Sequence, residues 1–300
     1  MNTPLVTVSV ITYNSASTIL ETLDSIYAQS YPAIELIISD DCSSDQTITT
    51  CRQWISLHKT RFTRCRVIES DKNTGITANC NRAIADIHGN YLKLLAGDDL
   101  LEPEAISEYV NYLTQNPQAM YVFGRVTVFG NNQLAIDWFN NTIFDYSFFS
   151  LTRDKQYNWL IENWFQPIPA AAVFINAKLA RENQVLFYDE RIPMLEDWPK
   201  WIVLSSKGID FHFIDKPLAR YRVNENSVCS GEKYREAFMK SIALLYRYYQ
   251  FKPTIRLLGF SRALTIYIKN MATAYPTSLW GRIYRLFTRS FQDSQHECKK

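Results

Sequence analysis

Within the first hundred residues, short β-branched apolar runs alternate with segments of helical period, and this alternation is what most restricts the fold. Leu5 to Ile11, Ile34 to Ser39, Arg66 to Glu69 and Tyr91 to Leu95 read as strands. Between them fall three helices. Ile19, Leu20, Leu23, Ile26 and Tyr27 recur at helical spacing until Pro32, with Thr18 and Glu21 spaced as a capping box. Ser43, Ser44 and Asp45 offer caps for a second helix through about Leu57, and Gly75 to Ile87 forms a third. Strands alternating with helices of this length predict an α/β fold, with a mostly parallel sheet, right-handed crossovers and helices on its faces.

The remainder is less regular. Pro103, between Glu102 and Glu104, starts a helix that ends near Asn116-Pro117, and Tyr121 to Phe129 follows as an extended run. The aromatic stretch from Trp138 to Phe149 is expected as a mobile loop over the site. Ala171 to Ile175 and Phe211 to Ile214 read as later strands, with a helix beginning near Trp198 between them. From Glu232 only helices are expected, broken at Pro253 and Pro276, which divides the chain into residues 1–230 and a helical C-terminal extension, 231–300.

A hydrophobic fraction of 47% over 300 residues supports a substantial core. The net charge of +2 conceals an asymmetry: residues 252–300 hold nine Lys or Arg against Asp293 and Glu297, so that segment carries +7 and the rest −5. A weakly acidic body can still bind an anionic nucleotide where a metal or local Arg supplies positive charge, whereas a basic tail points outward to an anionic partner; no nucleic acid is expected. The six cysteines form no CxxC pair, and free thiols in a reducing cytosol are expected. No apolar run is long enough to span a membrane, and the chain opens on a strand pattern without a signal-peptide pattern.

Loops leaving the carboxyl ends of parallel strands line one crevice, so polar residues distant in sequence can share a ligand there. Four loops qualify. Thr12-Tyr13-Asn14 offers a ring to stack on a base and groups to hydrogen-bond it, or simply a polar turn. Asp40-Asp41 can accept from a base N–H or cap the next helix. Asp98-Asp99, on a sharp turn, can bind Mg²⁺ or Mn²⁺ beside a diphosphate, or cap the helix begun at Pro103. Glu196-Asp197-Trp198-Pro199 opens a helix with Asp197 as its N-cap. That carboxylate can also take a proton from a hydroxyl, Glu196 can contact a sugar, and Trp198 can stack on a sugar face or lie in the core.

Between these loops, Gly75 opens a helix where backbone or phosphate can approach closely. Asn79 and Arg82 face one side of that helix, with Asn79 alternatively a buried polar spacer. Lys72 or Arg82, and Arg222 with Ser227, are candidates to meet a diphosphate. His58, His88, His212 and His296 stand apart from the other candidates and receive no role. The absence of a GxGxxG at the first turn disfavours dehydrogenase-type dinucleotide binding.

In this order and spacing, Val8-Ser9-Val10-Ile11-Thr12-Tyr13-Asn14, Asp40-Asp41-Cys42-Ser43-Ser44-Asp45, Asn73-Thr74-Gly75-Ile76-Thr77-Ala78-Asn79, Gly97-Asp98-Asp99 and Glu196-Asp197-Trp198 make the chain resemble glycosyltransferase family 2 over about residues 5–230. The resemblance implies a GT-A, Rossmann-like fold, a nucleotide-sugar donor, a divalent cation and inversion at the anomeric carbon. By the resemblance, Thr12, Tyr13, Asp40 or Asp41, and Asp98 contact the nucleoside, Asp99 binds the metal and Asp197 is the base. Two departures stand out: Ala96 replaces an Asp that many members carry, and Asn224 lies near the position of a frequent His.

The expected activity is therefore transfer of a hexose, from a UDP-sugar by resemblance, to a glycan acceptor on a lipid diphosphate in bacterial O-antigen or capsule assembly. A nucleotidyltransferase and a noncatalytic sugar-binding protein are the alternatives. Leu279, Trp280, Ile283, Phe287 and Phe291 share a helical face opposite Arg282, Arg285 and Arg289, which suits an anionic membrane surface or packing onto the domain. The expected location is the cytoplasm, peripheral on the inner face of the membrane.

Overall fold

The computed structural model describes residues 3–163, 168, 170–223 and 235–275. Eight strands, β1 (Val6–Thr12), β2 (Ile34–Asp40), β3 (Arg64–Glu69), β4 (Tyr91–Ala96), β5 (Leu100–Leu101), β6 (Tyr121–Gly130), β7 (Val173–Asn176) and β8 (Phe211–Val223), form one sheet in the order β3-β2-β1-β4-β7-β6-β8-β5. β3, β2, β1 and β4 run parallel, as does the β6–β8 pair. β7 is antiparallel to both β4 and β6, and β5 to β8, so the sheet is mixed but mostly parallel.

Side chains alternate across the pleat and fill two cores. Val6, Val8 and Val10 of β1, with Ile34, Leu36 and Ile38 of β2, pack under α1 (Ile19–Tyr27), α2 (Thr47–His58) and α4 (Ala105–Gln115). On the other face, Ile37, Leu92 and Leu94 meet α3 (Ile76–Ile84) and α8 (Asp197–Ser206). Each of these buried aliphatic chains contributes about 1.5–3 kcal/mol by leaving water, Leu94 somewhat less because it keeps 8% of its surface.

Two expectations of local structure are corrected. Thr18 makes no side-chain cap; its Oγ1 donates to the Gly97 carbonyl at 2.8 Å, and Glu21 pairs with Arg222 instead of closing a capping box. The aromatic stretch is not a free loop. After α5 (Gln133–Trp138) it forms short turns over Phe139–Ile143 and Tyr146–Ser150, with Phe139 and Phe148 buried and Phe149 stacked on Phe213 of β8 at 4.4 Å. Its rings bury more favourably against β6 and β8 than in water.

Beyond α6 (Arg153–Glu162) and α7 (Ala177–Glu182), the chain reaches α8 through an anchored segment, 183–196. The C-terminal helices α9 (Arg235–Leu245), α10 (Phe251–Leu258) and α11 (Phe260–Ala274) dock on the same body: Gln250 Nε2 donates to the Leu160 carbonyl at 2.9 Å, and the Tyr249 hydroxyl to Asp189 at 2.5 Å. Asn224, Ser227 and the amphipathic segment 277–300 lie outside the described residues. Among the described residues no helix is long and apolar enough to cross a membrane, and Cys42, Cys51, Cys65 and Cys80 are free thiols.

Candidate functional site

The carboxyl ends of β1, β2 and β4 lie side by side, Thr12 beside Asp40 and Ile11 beside Ala96, so their loops share one edge. The loops are bonded to one another. Thr12 Oγ1 donates to Asp40 Oδ1 at 2.8 Å, and Asp40 also accepts the Ser43 backbone N–H at 2.7 Å and its hydroxyl at 2.5 Å. Asn14, at φ 52°, accepts the Ser44 N–H at 2.9 Å and donates its own backbone N–H to Ser43. Gly97 closes the other side: a Cβ there would lie 2.9 Å from Thr12 Cγ2, so only glycine lets the β4 turn approach the β1 turn this closely.

These bonds sort the expected ligand contacts. Thr12, Asn14 and Asp40 spend their polar groups within the loops, which favours the polar-turn and capping readings for them. Tyr13 is 38% exposed on the same edge, with its ring available for stacking. Asp41 accepts from Thr74 N at 2.9 Å, Gly75 N at 2.7 Å, Thr74 Oγ1 at 2.6 Å and Arg82 at 3.2 Å, so it fixes the 74–75 turn. Asn79 is the buried spacer: it donates to the Thr12 and Ser39 carbonyls and accepts from Ser39 Oγ and Arg82. Arg82, occupied by Asn79, Thr74 and Asp41, is not poised to meet a diphosphate; Lys72 stays exposed.

At the end of β4, Asp99 is 3% exposed and Asp98 lies half-buried. Burial, and then the charge of Asp98, pushes the Asp99 carboxyl well above the usual carboxylate range; burial likewise raises Asp98, against the opposing pull of Arg222. Two carboxyls so destabilised as anions fit a site for a cation. Asp99 Oδ1 accepts the Arg222 backbone N–H at 2.9 Å, and its second oxygen has no hydrogen-bond partner among the described residues. Among those residues no group of three His, Cys, Asp or Glu side chains could hold a metal.

Arg222 was expected to grip a diphosphate, and its contacts give it another task. Its Nε donates to the Asp98 carbonyl at 2.7 Å, its Nη2 to Glu21 at 2.9 Å, and its guanidinium lies 4.4 Å from the Phe129 ring centroid. It braces the acidic turn from the end of β8.

The second acidic pair enters from the segment before α8. Helix α8 begins at Asp197 itself, with Glu196 in the cap position making no side-chain cap bond, so Asp197 is a first-turn residue rather than the N-cap. Its Oδ1 accepts the Trp198 N–H at 2.7 Å, and it is 6% exposed. Trp198 takes the core alternative: it is 4% exposed and its indole N–H donates to the Leu160 carbonyl, which leaves no sugar-stacking face. Burial, and then the charge on Asp197, raises the Glu196 carboxyl to about 8. The buried Cys80 thiol of α3 is pushed up by burial and then by the charges of Glu196, Asp197 and Asp41.

Sequence reasoning missed the residues that hold this arrangement. Thr77 Oγ1 donates to the Ile192 carbonyl at 2.6 Å, and its N–H to the Pro193 carbonyl at 3.2 Å. Asn81 grips the Tyr188 backbone in both directions, at 3.0 and 2.8 Å. The available signal was a polar i, i+4 pair on a short helix; its partners, more than a hundred residues on, were not legible.

The sequence model described as Glycosyl transferase family 2 matches residues 7–167, more than half of the chain. TuaG of Bacillus subtilis strain 168, a provisionally assigned teichuronic acid biosynthesis glycosyltransferase, is 27% identical over 81% of this chain and 88% of its own length. WfaP of Escherichia coli, a UDP-Glc:alpha-D-GlcNAc-diphosphoundecaprenol beta-1,3-glucosyltransferase, is 25% identical over 80% of this chain and 85% of its own. Among solved structures, the mannosyltransferase PcManGT of Pyrobaculum calidifontis, in complex with GDP-Man and Mn²⁺, superposes with a TM-score of 0.60 at 18% identity, covering 97% of this chain and 81% of that one. With its sheet order, its acidic strand-end turns and this match, the chain belongs to glycosyltransferase family 2.

Proposed function

We propose that the protein is an inverting glycosyltransferase that moves a hexose from a UDP-sugar to a hydroxyl of a glycan acceptor carried on a lipid diphosphate, in bacterial O-antigen, capsule or related surface-polysaccharide assembly. What supports this reading is the family match together with two acidic turns: Asp98-Asp99 at the end of β4, and Glu196-Asp197, which follows the Ile192-Pro193 segment that Thr77 of α3 holds. One turn suits a cation and a diphosphate, the other a proton acceptor. The UDP preference and the lipid-linked acceptor rest on likeness to WfaP, and the cation, Mn²⁺ or Mg²⁺, on the Asp99 environment with the PcManGT complex.

In this mechanism Tyr13 stacks on the uracil, and Asp99 would hold a divalent cation, which when bound would neutralise charge on a diphosphate leaving group. Arg222 keeps the Asp98-Asp99 turn in place. Asp197 takes the proton of the acceptor hydroxyl as that oxygen attacks the anomeric carbon from the face opposite UDP. The C–O bond to the acceptor forms, the bond to the diphosphate breaks with its electron pair, and configuration inverts. Burial, and then the charge of Asp197, raises the neighbouring Glu196 carboxyl to about 8. The basic C-terminal segment brings the enzyme to the anionic inner face of the membrane, where such acceptors reside.

The test is transfer from UDP-glucose with Mn²⁺ to a synthetic GlcNAc-diphospholipid, with a panel of UDP-sugars alongside and the product's anomeric configuration read by NMR. A β-linked product from an α-linked donor supports the proposal. Retained configuration, attack at phosphorus, or donor binding without turnover across the panel rejects it.

A further inference from the structure

We infer that Thr77 is a positioning residue for transfer: through the Ile192 and Pro193 carbonyls it sets the placement of Asp197, and it ties that placement to the turn at the end of β2. The inference rests on the reading of Asp197 as base.

The connection is short and continuous. Asp41, at the end of β2, holds Thr74 and Gly75 by both oxygens. Gly75, at φ 90°, caps α3, and a Cβ on it would lie 3.0 Å from the Pro193 carbonyl oxygen, so the two segments touch backbone to backbone. Two residues on, Thr77, fully buried, spends both its hydroxyl and its N–H on Ile192 and Pro193. An N–H of the first helical turn has no partner within its helix, and here it goes to the very segment that carries the acidic pair. Pro193 lies four residues before Asp197, and Met194 is tethered from the other side by Ser241 Oγ at 3.3 Å.

Glu196 and Asp197 are thus not placed by α8 alone. Reacting groups must lie within hydrogen-bond reach in the productive pose, and a misplacement of about 1 Å costs about a hundredfold in rate. A base hung from the α3 N-terminus feels any shift of the 74–75 turn, which follows the edge where the nucleotide binds. Asn81 adds an independent grip one turn later, at Tyr188.

The experiment measures kcat with UDP-glucose and the GlcNAc-diphospholipid, and UDP affinity by calorimetry, for Thr77→Val, Thr77→Ser and Asn81→Ala in wild-type and Asp197→Asn backgrounds. Thr77→Val removes the hydroxyl at nearly constant volume. Expected are a kcat loss of about ten- to a hundredfold with UDP affinity within about twofold, recovery in Thr77→Ser, and no further loss when Thr77→Val is added to Asp197→Asn. Asn81→Ala, expected to lower kcat in the same selective way, carries the test should Thr77→Val fail to fold. Equal losses in both backgrounds, parallel losses of kcat and UDP affinity, or unchanged kcat in both Thr77→Val and Asn81→Ala would overturn the inference. Full turnover by Asp197→Asn would instead remove the base assignment, whereas a strongly impaired Asp197→Asn beside unaffected Thr77→Val and Asn81→Ala retires this inference alone.

Discussion

Replacing Arg222 by Met separates a brace from a diphosphate grip. The backbone N–H bond to Asp99 survives the change, so only guanidinium contacts are lost. The bond to the Asp98 carbonyl, charge-assisted and with the side chain 12% exposed, is worth about 1.5–3 kcal/mol. The Phe129 contact adds about 0.5–1 kcal/mol, and the pair with Glu21, itself 56% exposed, under about 1 kcal/mol. Met replaces part of the aliphatic packing, so the net loss in the ligand-free protein should be about 2–4 kcal/mol. Urea unfolding without nucleotide reads this directly, and titration of UDP with Mn²⁺ reads the consequence. An unbraced Asp98-Asp99 turn should weaken UDP binding about tenfold or more, while Glu21→Gln changes stability by under about 0.5 kcal/mol. If Arg222→Met unfolds within about 0.5 kcal/mol of wild type yet loses UDP affinity, the guanidinium faces the ligand and the brace is refuted.

Three further outcomes are expected. Gly75→Ala meets both φ 90° and the Pro193 carbonyl and should cost about 2–4 kcal/mol in unfolding free energy, with transfer falling more than UDP binding; a neutral variant would show that the two segments part easily. Tyr13→Ala should weaken UDP binding about five- to fiftyfold by calorimetry without changing stability, and chelation of the cation should weaken it further; an unchanged affinity would remove the ring from the base site. Glu196, with its folded carboxyl raised to about 8, binds a proton that the unfolded chain has released; its stabilising contribution is full below about pH 4.5 and is lost as pH rises through about 8. Urea midpoints of Glu196→Gln should therefore fall less than wild type between about pH 5 and pH 8.5, and parallel curves would contradict the raised carboxyl.

Much of the fold was legible because β1, β2 and β4 are buried on both faces and read as apolar, β-branched runs bounded by turn residues. β5 went unread, and β8 was read only over Phe211 to Ile214, for physical reasons. β5 is two residues long, and β8 contains Pro217 and pairs with β6 through register shifts at Phe123 and Arg125, which erases the alternation that marks a strand. β7 was visible, but its antiparallel direction is set by its neighbours and not by its own side chains.

In the site, the acidic loops announced themselves by type and by their place after strands. Their division of labour did not. Asp40 and Asp41 look alike in sequence, yet one closes its own turn and the other anchors a segment more than thirty residues later. Arg82 and Arg222 read as free cations until the carbonyls and carboxylates around them were placed. Trp198 carried both readings, and only the Leu160 carbonyl and the packing around it selected the core.

The spatial convergence of the cation station and the base decides the account. A crystal structure of the protein soaked with UDP and Mn²⁺ should show the ion on Asp99, the uracil against Tyr13 and the Asp197 carboxyl opening onto the same crevice as the diphosphate. UDP bound away from Asp99, or an Asp197 carboxyl turned to a different side of the molecule from the diphosphate, would contradict it.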